Sequence, residues 1–505
     1  MIQAEKLTER LGVVTAHEVI IIGCGHSGVV NAVKLRDRGI NDFIILERSS
    51  RVGGCWRDNT YPGCACDVPS AFYSYSFRTN PEWSHTFAGQ EEILAYIEDT
   101  VDQIGLCDRL HLNTEMEEAQ WLEEEGVWKL TTNRGEYRSR FVIFATGPLT
   151  KANIPDIEGI STFPGEIFHS AEWNHEYDLT NKRVAVIGTG ASSAQFIPEI
   201  QKQVKQLTIF QRTAPWILPR PFDRNITELE KFINRRTPLL QSLSRRRIEA
   251  LLVLVNYALT HPWAMEMVEP YVRRIIKKQV PDKTLRRKIS ADFTIGCKRI
   301  IFSNEYYPAL RQPNLSLIDS GLASIDGNKV IASNGESAEV GAIIFGTGFE
   351  LTPPPIAHTI RDKDGRFLSE RWKTEGPQAY LGTTTYDLPN AFIMVGPNIL
   401  VYSSFIEIAE WQSNYIADAI MQLKQRNISY FNMLESTCKE YNNRIQGLLG
   451  NSVFNSGGCK SYYLGEDGKN IASWPWTIPK LREKLGHFDL INYQIKRKTA
   501  ARAPT

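Results

Sequence analysis

The chain has 505 residues, of which 42% are hydrophobic and 23% are charged, a length and composition typical of a globular protein with several domains that each bury a core. Its 58 Lys and Arg residues balance 57 Asp and Glu residues, which leaves no net field to favour nucleic acid. Neither a signal-peptide core nor a run of about 18 apolar residues is present, so we expect a cytoplasmic protein without a transmembrane segment.

The first predicted unit is a strand, a glycine-rich turn and a helix near the N-terminus. The apolar run 18–22 predicts a buried parallel strand, and residues 29–38 predict the helix that follows it. Residues 43–46 predict a second apolar strand, and Glu47, which follows it, supplies an acceptor for an unphosphorylated ribose, as in FAD or NAD. The turn GCGHSG lets the backbone approach a pyrophosphate at the helix N-terminus, with predicted contacts from Gly23, Gly25, Ser27 and Gly28.

The cysteines give no sign of a metal site. Cys64 and Cys66 lie close together, but no second Cys or His pair follows at zinc-finger spacing, so we expect small buried residues. A disulfide reductase would carry two cysteines about four residues apart after its first cofactor loop. Cys55 and Cys64 have eight residues between them, which argues against that class.

A second strand, turn and helix repeat the layout. Residues 183–187 predict the strand, residues 194–204 the helix and residues 207–210 the next strand. Arg212 stands nineteen residues past its turn, as Glu47 does past the first, and would pair with a 2′-phosphate. The second site is therefore predicted to bind NADPH and the first FAD, so that electrons pass from NADPH to FAD. Contacts to NADPH are predicted from Gly188, Thr189, Gly190, Ser192, Ser193 and Gln195.

Residues 220–295 carry no clear motif but a marked charge pattern. Between residues 235 and 288 there are 13 Lys and Arg against four Asp and Glu, around the apolar segment 248–259. Basic amphipathic helices can lie on anionic membranes, whereas a run of charge is usually only a solvated face. Peripheral membrane contact through 235–288 is therefore one of two open interpretations.

The irregular loop 53–67 and several later segments resemble motifs of the flavin-dependent Baeyer-Villiger monooxygenases. The loop predicts neither helix nor strand, and it fits the pattern GxWxxxx(F/Y)P(G/M)xxxD with Gly54, Trp56, Tyr61, Pro62, Gly63 and Asp67 in register. Residues 163–173 resemble the signature FxGxxxHxxxW, with Asn174 where Pro or Asp is common. Further segments follow in the order expected of the family, at 141–147, 296–299, 343–349, 396–398 and 474–475.

The resemblance implies an α/β fold with two Rossmann-like dinucleotide-binding domains, for FAD and NADP, and a helical insertion. The FAD-binding domain would consist of residues 1–148 and 346–505. The NADP-binding domain would consist of residues 149–219 and 296–345. The insertion would occupy residues 220–295 and cap the substrate pocket.

The resemblance also assigns roles to single residues. Arg299 is in the position of the family's catalytic arginine, whose fixed charge stabilises the C4a-peroxyflavin and the anionic intermediate. Asp67 would orient Arg299 and touch the cofactors. Lys298 would join Arg212 and Thr213 on the 2′-phosphate of NADPH. The flavin neighbours would be Cys55, Trp56 and Tyr73, with Trp474 near the nicotinamide, although core packing is the alternative for each aromatic.

The implied activity is insertion of one oxygen atom next to a carbonyl group, which converts a ketone into an ester or lactone with NADPH and O₂. A flavin monooxygenase that oxidises heteroatoms or aldehydes stays open, as does a non-catalytic redox sensor that binds FAD and NADPH. The segment 402–404 replaces a more usual Gly and His region, which indicates an altered pocket wall. The sequence does not predict the particular ketone or the oligomeric state.

Overall fold

The structure of the chain, a computed structural model, describes residues 15–465 and 467–497, except for the side chains of residues 238–240. The strands in this part of the chain are β1 (Thr15–Ile22), β2 (Phe43–Leu46), β3 (Leu110–His111), β4 (Met116–Leu122), β5 (Val127–Thr132), β6 (Gly135–Phe144), β7 (Glu166–His169), β8 (Arg183–Ile187), β9 (Gln206–Phe210), β10 (Ile217–Leu218), β11 (Ile301–Phe302), β12 (Leu315–Ile318), β13 (Leu322–Asp326), β14 (Lys329–Ala332), β15 (Ser337–Glu339), β16 (Ala342–Phe345), β17 (Ala391–Ile393), β18 (Ile428–Met433) and β19 (Tyr493–Arg497). The α-helices there are α1 (His26–Asp37), α2 (Cys55–Asp58), α3 (Gln90–Gln103), α4 (Ala191–Gln201), α5 (Glu228–Arg236), α6 (Pro238–Thr260), α7 (Pro262–Gln279), α8 (Lys283–Lys288), α9 (Tyr306–Leu310), α10 (Leu368–Glu375), α11 (Phe405–Gln425), α12 (Glu435–Leu449), α13 (Val453–Ser456) and α14 (Ile478–Lys484). Of the helices in the described ranges, none is long and apolar enough to cross a membrane.

The first sheet has the strand order β3-β2-β1-β6-β5-β4, and β17 pairs with the C-terminal part of β6. Strands β2, β1, β6 and β17 run parallel, and β5 and β4 extend the sheet by antiparallel pairing. Helices α1 and α11 cover one face of the sheet. On the other face, side chains of β4, β5 and α10 form one core with side chains of β1 and β2. Ile20 and Ile21 of β1 are consequently fully buried, as expected of a central parallel strand.

The second sheet is parallel throughout, with the order β12-β9-β8-β16-β7. Helices α4 and α9 cover one face. The antiparallel strands β13, β14 and β15 cover the other, where Ile325 and Val330 share a core with Ile343 and Phe345. The predicted α/β fold with two Rossmann-like units and a helical region is confirmed, and the residue boundaries of the domains stay a prediction.

The helices that follow the two glycine turns begin earlier than predicted. Helix α1 begins at His26 rather than at residue 29, and α4 begins at Ala191 rather than at residue 194. The last residues of each turn motif form the first helical turn, with a glycine as the N-cap. The prediction was wrong here because it placed the whole motif outside the helix.

The loop 53–67 is also more regular than predicted. Residues Cys55–Asp58 form the single-turn helix α2. Gly53 and Gly54 have φ of +120° and +54°, conformations that glycine adopts without strain. They turn the chain so that the N–H of Asp58 donates to the carbonyl of Gly54 at 3.1 Å. The glycines that suggested an irregular loop therefore start a helical turn.

The second glycine turn carries a serine where the first carries its last glycine. At Gly28 an added Cβ would lie 2.1 Å from the carbonyl oxygen of Gly23, so the first turn has no room for a side chain. The corresponding Ser193 is fully buried. It fits because Gly346, at the end of β16, has no side chain: an added Cβ there would lie 1.9 Å from Ser193 Oγ.

We expect Gly346→Ala to lower the free energy of unfolding by about 1–3 kcal/mol, because its methyl group would overlap the Ser193 hydroxyl. The double variant with Ser193→Gly should recover most of this loss, since the overlapping atom is then absent. Denaturant unfolding of the wild type, both single variants and the double variant measures the coupling. Additive losses in the double variant would contradict this packing argument.

Helices α5, α6, α7 and α8 occupy the region predicted as a helical insertion. Helices α6 and α7 contact each other and meet at His261. Leu259 of α6 and Met265 of α7 converge on Gly296, where an added Cβ would lie 2.4 Å from Leu259 Cδ2 and 3.5 Å from Met265 Cε. The insertion therefore packs directly on the turn 296–299.

Candidate active site

The first glycine turn forms a tight cradle at the N-terminus of α1. Gly23 has φ of +99°, and an added Cβ would lie 2.8 Å from the Ala145 carbonyl oxygen, so only glycine fits. Among the described residues no side chain caps α1, which leaves its first N–H groups free for an anion such as a pyrophosphate. The cradle groups the predicted contacts Gly23, Gly25, Ser27 and Gly28.

Glu47 lies at the end of β2, beside this cradle. Its buried carboxylate accepts hydrogen bonds from the backbone N–H of Cys24 at 2.8 Å and of Ser49 at 3.0 Å. It also pairs with Arg57 at 3.0 Å, a partner that sequence reasoning missed. The bond to Cys24 holds the carboxylate against the glycine turn, where the predicted ribose acceptor is needed.

The segment around α2 brings the predicted flavin neighbours together. Trp56 donates its indole N–H to the Tyr73 hydroxyl at 2.9 Å, and the two rings meet edge to face. Gly54 packs against the first glycine turn, since an added Cβ would lie 3.2 Å from the Cα of Gly25. Cys55 follows at the start of α2. The structure thus places Gly54 and the three predicted flavin neighbours next to the first cradle.

The second glycine turn repeats the cradle at the N-terminus of α4. Gly188 has φ of +102°, and an added Cβ would lie 2.6 Å from the Gly346 carbonyl oxygen. Helix α4 has no side-chain cap among the described residues either. Thr189 donates its hydroxyl to the carbonyl of Thr213 at 3.3 Å and so joins the turn to the segment after β9. The residues grouped here are Gly188, Thr189, Gly190, Ser192 and Ser193.

Two cations lie near each other beyond this turn. Burial and the nearby guanidinium of Arg212 lower the pKa of Lys298, and Asp292 offsets only part of this effect. The ammonium of Lys298 lies 5.1 Å from the centre of the Phe293 ring. Like charges placed together cost free energy unless an anion lies between them. Two cations can share one phosphate group, and the assignment of this pair to the 2′-phosphate stays a prediction.

Asp67 and Arg299 form a two-pronged ion pair. Arg299 Nε lies 3.1 Å from Asp67 Oδ2, and Nη2 lies 2.8 Å from Oδ1 and 2.6 Å from Oδ2. The carboxylate holds the pKa of Arg299 well above its usual value, so the guanidinium stays charged. The Arg299 side chain is nevertheless 45% accessible. Its remaining N–H groups are therefore available to a ligand.

The loop that ends at Asp67 is fastened to α4. Tyr61 donates its hydroxyl to Gln195 Oε1 at 2.9 Å, and Gln195 Nε2 donates to the Ala65 carbonyl at 2.9 Å. Gly63 lies so close that an added Cβ would be 2.9 Å from the Gln195 carbonyl oxygen. Both ends of the Gln195 amide thus hold the loop in place, and its contact with NADPH stays a prediction.

A disulfide and three tyrosines surround Arg299. Cys297 forms a disulfide with Cys459, 162 positions away, and so ties the arginine turn to a C-terminal segment. Neither this disulfide nor the tyrosines of that segment were expected, because no local pattern links such distant residues. One tyrosine belongs to the segment predicted as an altered pocket wall. The three tyrosines near Arg299 are Tyr402, Tyr462 and Tyr463.

Trp474 lies in the core of the first unit. It is 2% exposed, its indole N–H donates to the Thr477 carbonyl at 3.3 Å, and its ring packs on Trp476. These contacts favour core packing for this residue over contact with the nicotinamide. His169 is also buried, and its Nδ1 accepts the N–H of Ala171 at 3.0 Å. Burial lowers the pKa of His169, which favours the neutral imidazole.

Cys66 packs in the core of the first unit, and Cys64 packs against the core of the second. Cys66 is buried and Cys64 is half-buried. Burial raises the pKa of Cys64 to about 11, so this thiol stays protonated at neutral pH. Within the described ranges, no group of three or more His, Cys, Asp or Glu side chains could hold a metal ion.

A buried carboxylate lies beside the Tyr402 segment. Glu407 accepts a hydrogen bond from the Ser403 hydroxyl at 3.0 Å, and burial raises its pKa to about 7. Arg245 and Arg482 lie near enough to lower this pKa, but less than burial raises it. Glu407 therefore changes charge near neutral pH.

We expect the Glu407→Gln variant to be more stable than the wild type at pH 8 and about equally stable at pH 5. Between pH 4.5 and about 7 the native protein holds a proton on Glu407 that the unfolded chain releases, so the wild type loses stability as the pH rises through this interval. The gain at pH 8 should be roughly 2–3 kcal/mol, measured as a higher Tm. A Tm difference that is the same at both pH values would contradict this assignment.

Known proteins align with this one over nearly the whole length of the chain. A sequence profile described as pyridine nucleotide-disulphide oxidoreductase matches residues 20–226, less than half of the chain. A protein of Streptomyces coelicolor named Baeyer-Villiger monooxygenase is 44% identical over 486 residues, which cover 96% of this chain and 93% of the relative. A protein of Pseudomonas aeruginosa with the same name is 43% identical over 482 residues, which cover 95% of this chain and 91% of the relative.

Solved structures have the same fold. A steroid monooxygenase bound to NADP matches with a TM-score of 0.84 at 28% identity and covers 96% of this chain and 100% of that chain. A closed structure of cyclohexanone monooxygenase matches with a TM-score of 0.85 at 23% identity, with coverage of 96% and 100%. Because the identity to the cyclohexanone monooxygenase is 23%, this second match concerns the fold alone.

Proposed function

The chain belongs to the flavin-dependent Baeyer-Villiger monooxygenase family, and from this we propose that it uses NADPH, FAD and O₂ to insert one oxygen atom next to the carbonyl group of a small ketone. The product would be an ester or a lactone. The observation that carries the proposal is the accessible, permanently charged Arg299, which Asp67 holds by a two-pronged ion pair.

The two cradles fit FAD and NADPH respectively. The turn 23–28 and the uncapped end of α1 would hold the FAD pyrophosphate, and Glu47 would accept from its ribose. The turn 188–193 would hold the NADPH pyrophosphate, and Arg212 and Lys298 would bind its 2′-phosphate together with the Thr213 segment. When bound, FAD reduced by NADPH supplies the activated oxygen.

Arg299 provides positive charge where negative charge develops during oxygen insertion. A preorganised cation in a site that excludes water is among the largest contributions to rate that a protein can make. Arginine stays protonated even when buried, so it stabilises an anion without giving up its proton. Asp67 is the positioning residue, because its two oxygens fix the plane of the guanidinium.

Arg299→Ala should lower ester or lactone formation by about 10²- to 10³-fold, while NADPH oxidation continues and O₂ ends as hydrogen peroxide. Product chromatography, NADPH absorbance and a peroxide assay measure the three quantities over a panel of linear, cyclic and aromatic ketones. Arg183→Ala is the control, because it removes a surface arginine that lies 3.7 Å from Glu339, and it should change none of them.

Unchanged ketone oxidation in Arg299→Ala would overturn the proposed function. Oxidation of sulfides or aldehydes without any ester or lactone from the ketone panel would instead assign the wild type to the heteroatom- or aldehyde-oxidising class. Absence of O₂ uptake by the wild type with NADPH would assign it to the redox-sensor class.

Arg212→Ala should raise the KM for NADPH by roughly 10- to 100-fold and leave the KM for NADH nearly unchanged, because only NADPH carries the 2′-phosphate. Steady-state kinetics with both coenzymes tests this. Arg311→Ala is a matched control, since this exposed arginine donates to the Gln279 carbonyl and lies outside the proposed site. Equal changes in KM for both coenzymes would contradict the assignment of Arg212.

A further inference from the structure

Helices α6 and α7 expose an unusual number of large apolar side chains. Single exposed apolar residues are common in proteins, but a contiguous group marks a site of interaction. The six that form what we name the α6–α7 surface, with their exposed fractions, are Leu251 (60%), Leu254 (64%), Tyr257 (45%), Trp263 (57%), Met267 (73%) and Tyr271 (65%).

These side chains lie along the outer faces of both helices. On α6 they continue a stripe with helical spacing, and on α7 they recur every four residues at 263, 267 and 271. The opposite faces point into the protein, because Leu259 and Met265 converge on Gly296. Helices α6 and α7 contact each other and bury their inner faces at the same place. Their outer faces therefore lie on the same side of the protein.

Unpaired basic residues flank the apolar side chains on both helices. Glu249 and Glu269 pair with Arg482 and Arg273, and Glu266 is the remaining acidic residue of the two helices. Five exposed cations of α6 and α7 make no ion pair within the described part of the chain, namely Arg246, Arg247, Arg274, Lys277 and Lys278.

Further cations extend this basic region beyond the end of α7. A concavity of about 290 Å³ lies there, at the start of α8. Two of its basic lining residues come from α7 and three from α8, and they are Arg273, Lys277, Lys283, Arg286 and Arg287. The concavity has the charge and the size for an anionic headgroup.

We propose that the α6–α7 surface lies on membranes that contain anionic phospholipids. Apolar side chains with Trp and Tyr among them, and Lys and Arg at the edges, are the composition of helices that lie in the membrane interface. A symmetric contact with a second copy fits less well, because the same surface would meet itself and bring five unpaired cations against five. The proposal does not depend on the oxygenation reaction.

The test is sedimentation of the full chain with vesicles. One set contains phosphatidylcholine and phosphatidylglycerol in equal parts, and the other contains phosphatidylcholine alone. We expect binding to the first set at low salt, much weaker binding to the second, and partial release in about 0.5 M NaCl, where the Debye length falls to roughly 4 Å.

Two pairs of substitutions separate the apolar and the electrostatic contributions. Leu254→Ser with Met267→Ser should weaken binding by about tenfold or more, because both side chains lose their burial in the membrane. Arg274→Glu with Lys278→Glu should weaken it by about 25-fold or more, since each surface cation is worth roughly fivefold on an anionic membrane. The matched control is Ile491→Ser with Lys373→Glu, which changes an 88% exposed isoleucine and an exposed lysine elsewhere.

All variants should keep the Tm and the NADPH oxidation rate of the wild type, because they change exposed side chains only. Absence of wild-type binding to the anionic vesicles would overturn the proposal, as would equal losses in the control variant. Sedimentation velocity tests whether a second copy of the chain covers the surface instead. A wild-type dimer that Leu254→Ser with Met267→Ser converts into a monomer, without any vesicle binding, would assign the surface to a second copy.

Discussion

The ion pair between Asp67 and Arg299 is the contact on which the rest of the candidate site depends. It joins residues 232 positions apart, one at the end of the loop after the first glycine turn and one on the turn that follows the helical insertion. A two-pronged pair with a carboxylate is a strong and directional contact for a guanidinium that is 45% accessible. The pair therefore sets the orientation of the arginine.

Further contacts hold the Asp67 loop and the arginine turn in place. Gln195 holds the Asp67 loop against α4, and the disulfide at Cys297 holds the arginine turn against the C-terminal segment. Helix α6 adds a third support, since Asn256 Oδ1 accepts the backbone N–H of Tyr402 at 3.3 Å. The same helix thus contacts the Tyr402 segment on its inner side and forms part of an exposed apolar surface on its outer side.

Sequence reasoning succeeded where the controlling forces are local. The strands at 43–46 and 183–187 were predicted with the bounds that the structure has, because buried parallel strands are short apolar runs between turns. The helix starts were wrong by three residues, and α2 was missed, because a glycine motif can belong to a turn and to a helix at once. Ser193 stands where the first turn has Gly28, and only the position of Gly346 explains why it fits.

The amino-acid order alone was enough to predict the two kinds of nucleotide site and, through the resemblance to a known family, the fold. Glu47 and Arg212 were predicted from their spacing within one strand-turn-helix unit each, and Arg299 was predicted from the family motif. The pairing of Cys297 with Cys459, the tyrosines around Arg299 and the burial of Trp474 were decided by the tertiary structure. These features depend on which surfaces meet after the chain has folded, and a contact between residues more than a hundred positions apart leaves no periodic or local signal in the sequence.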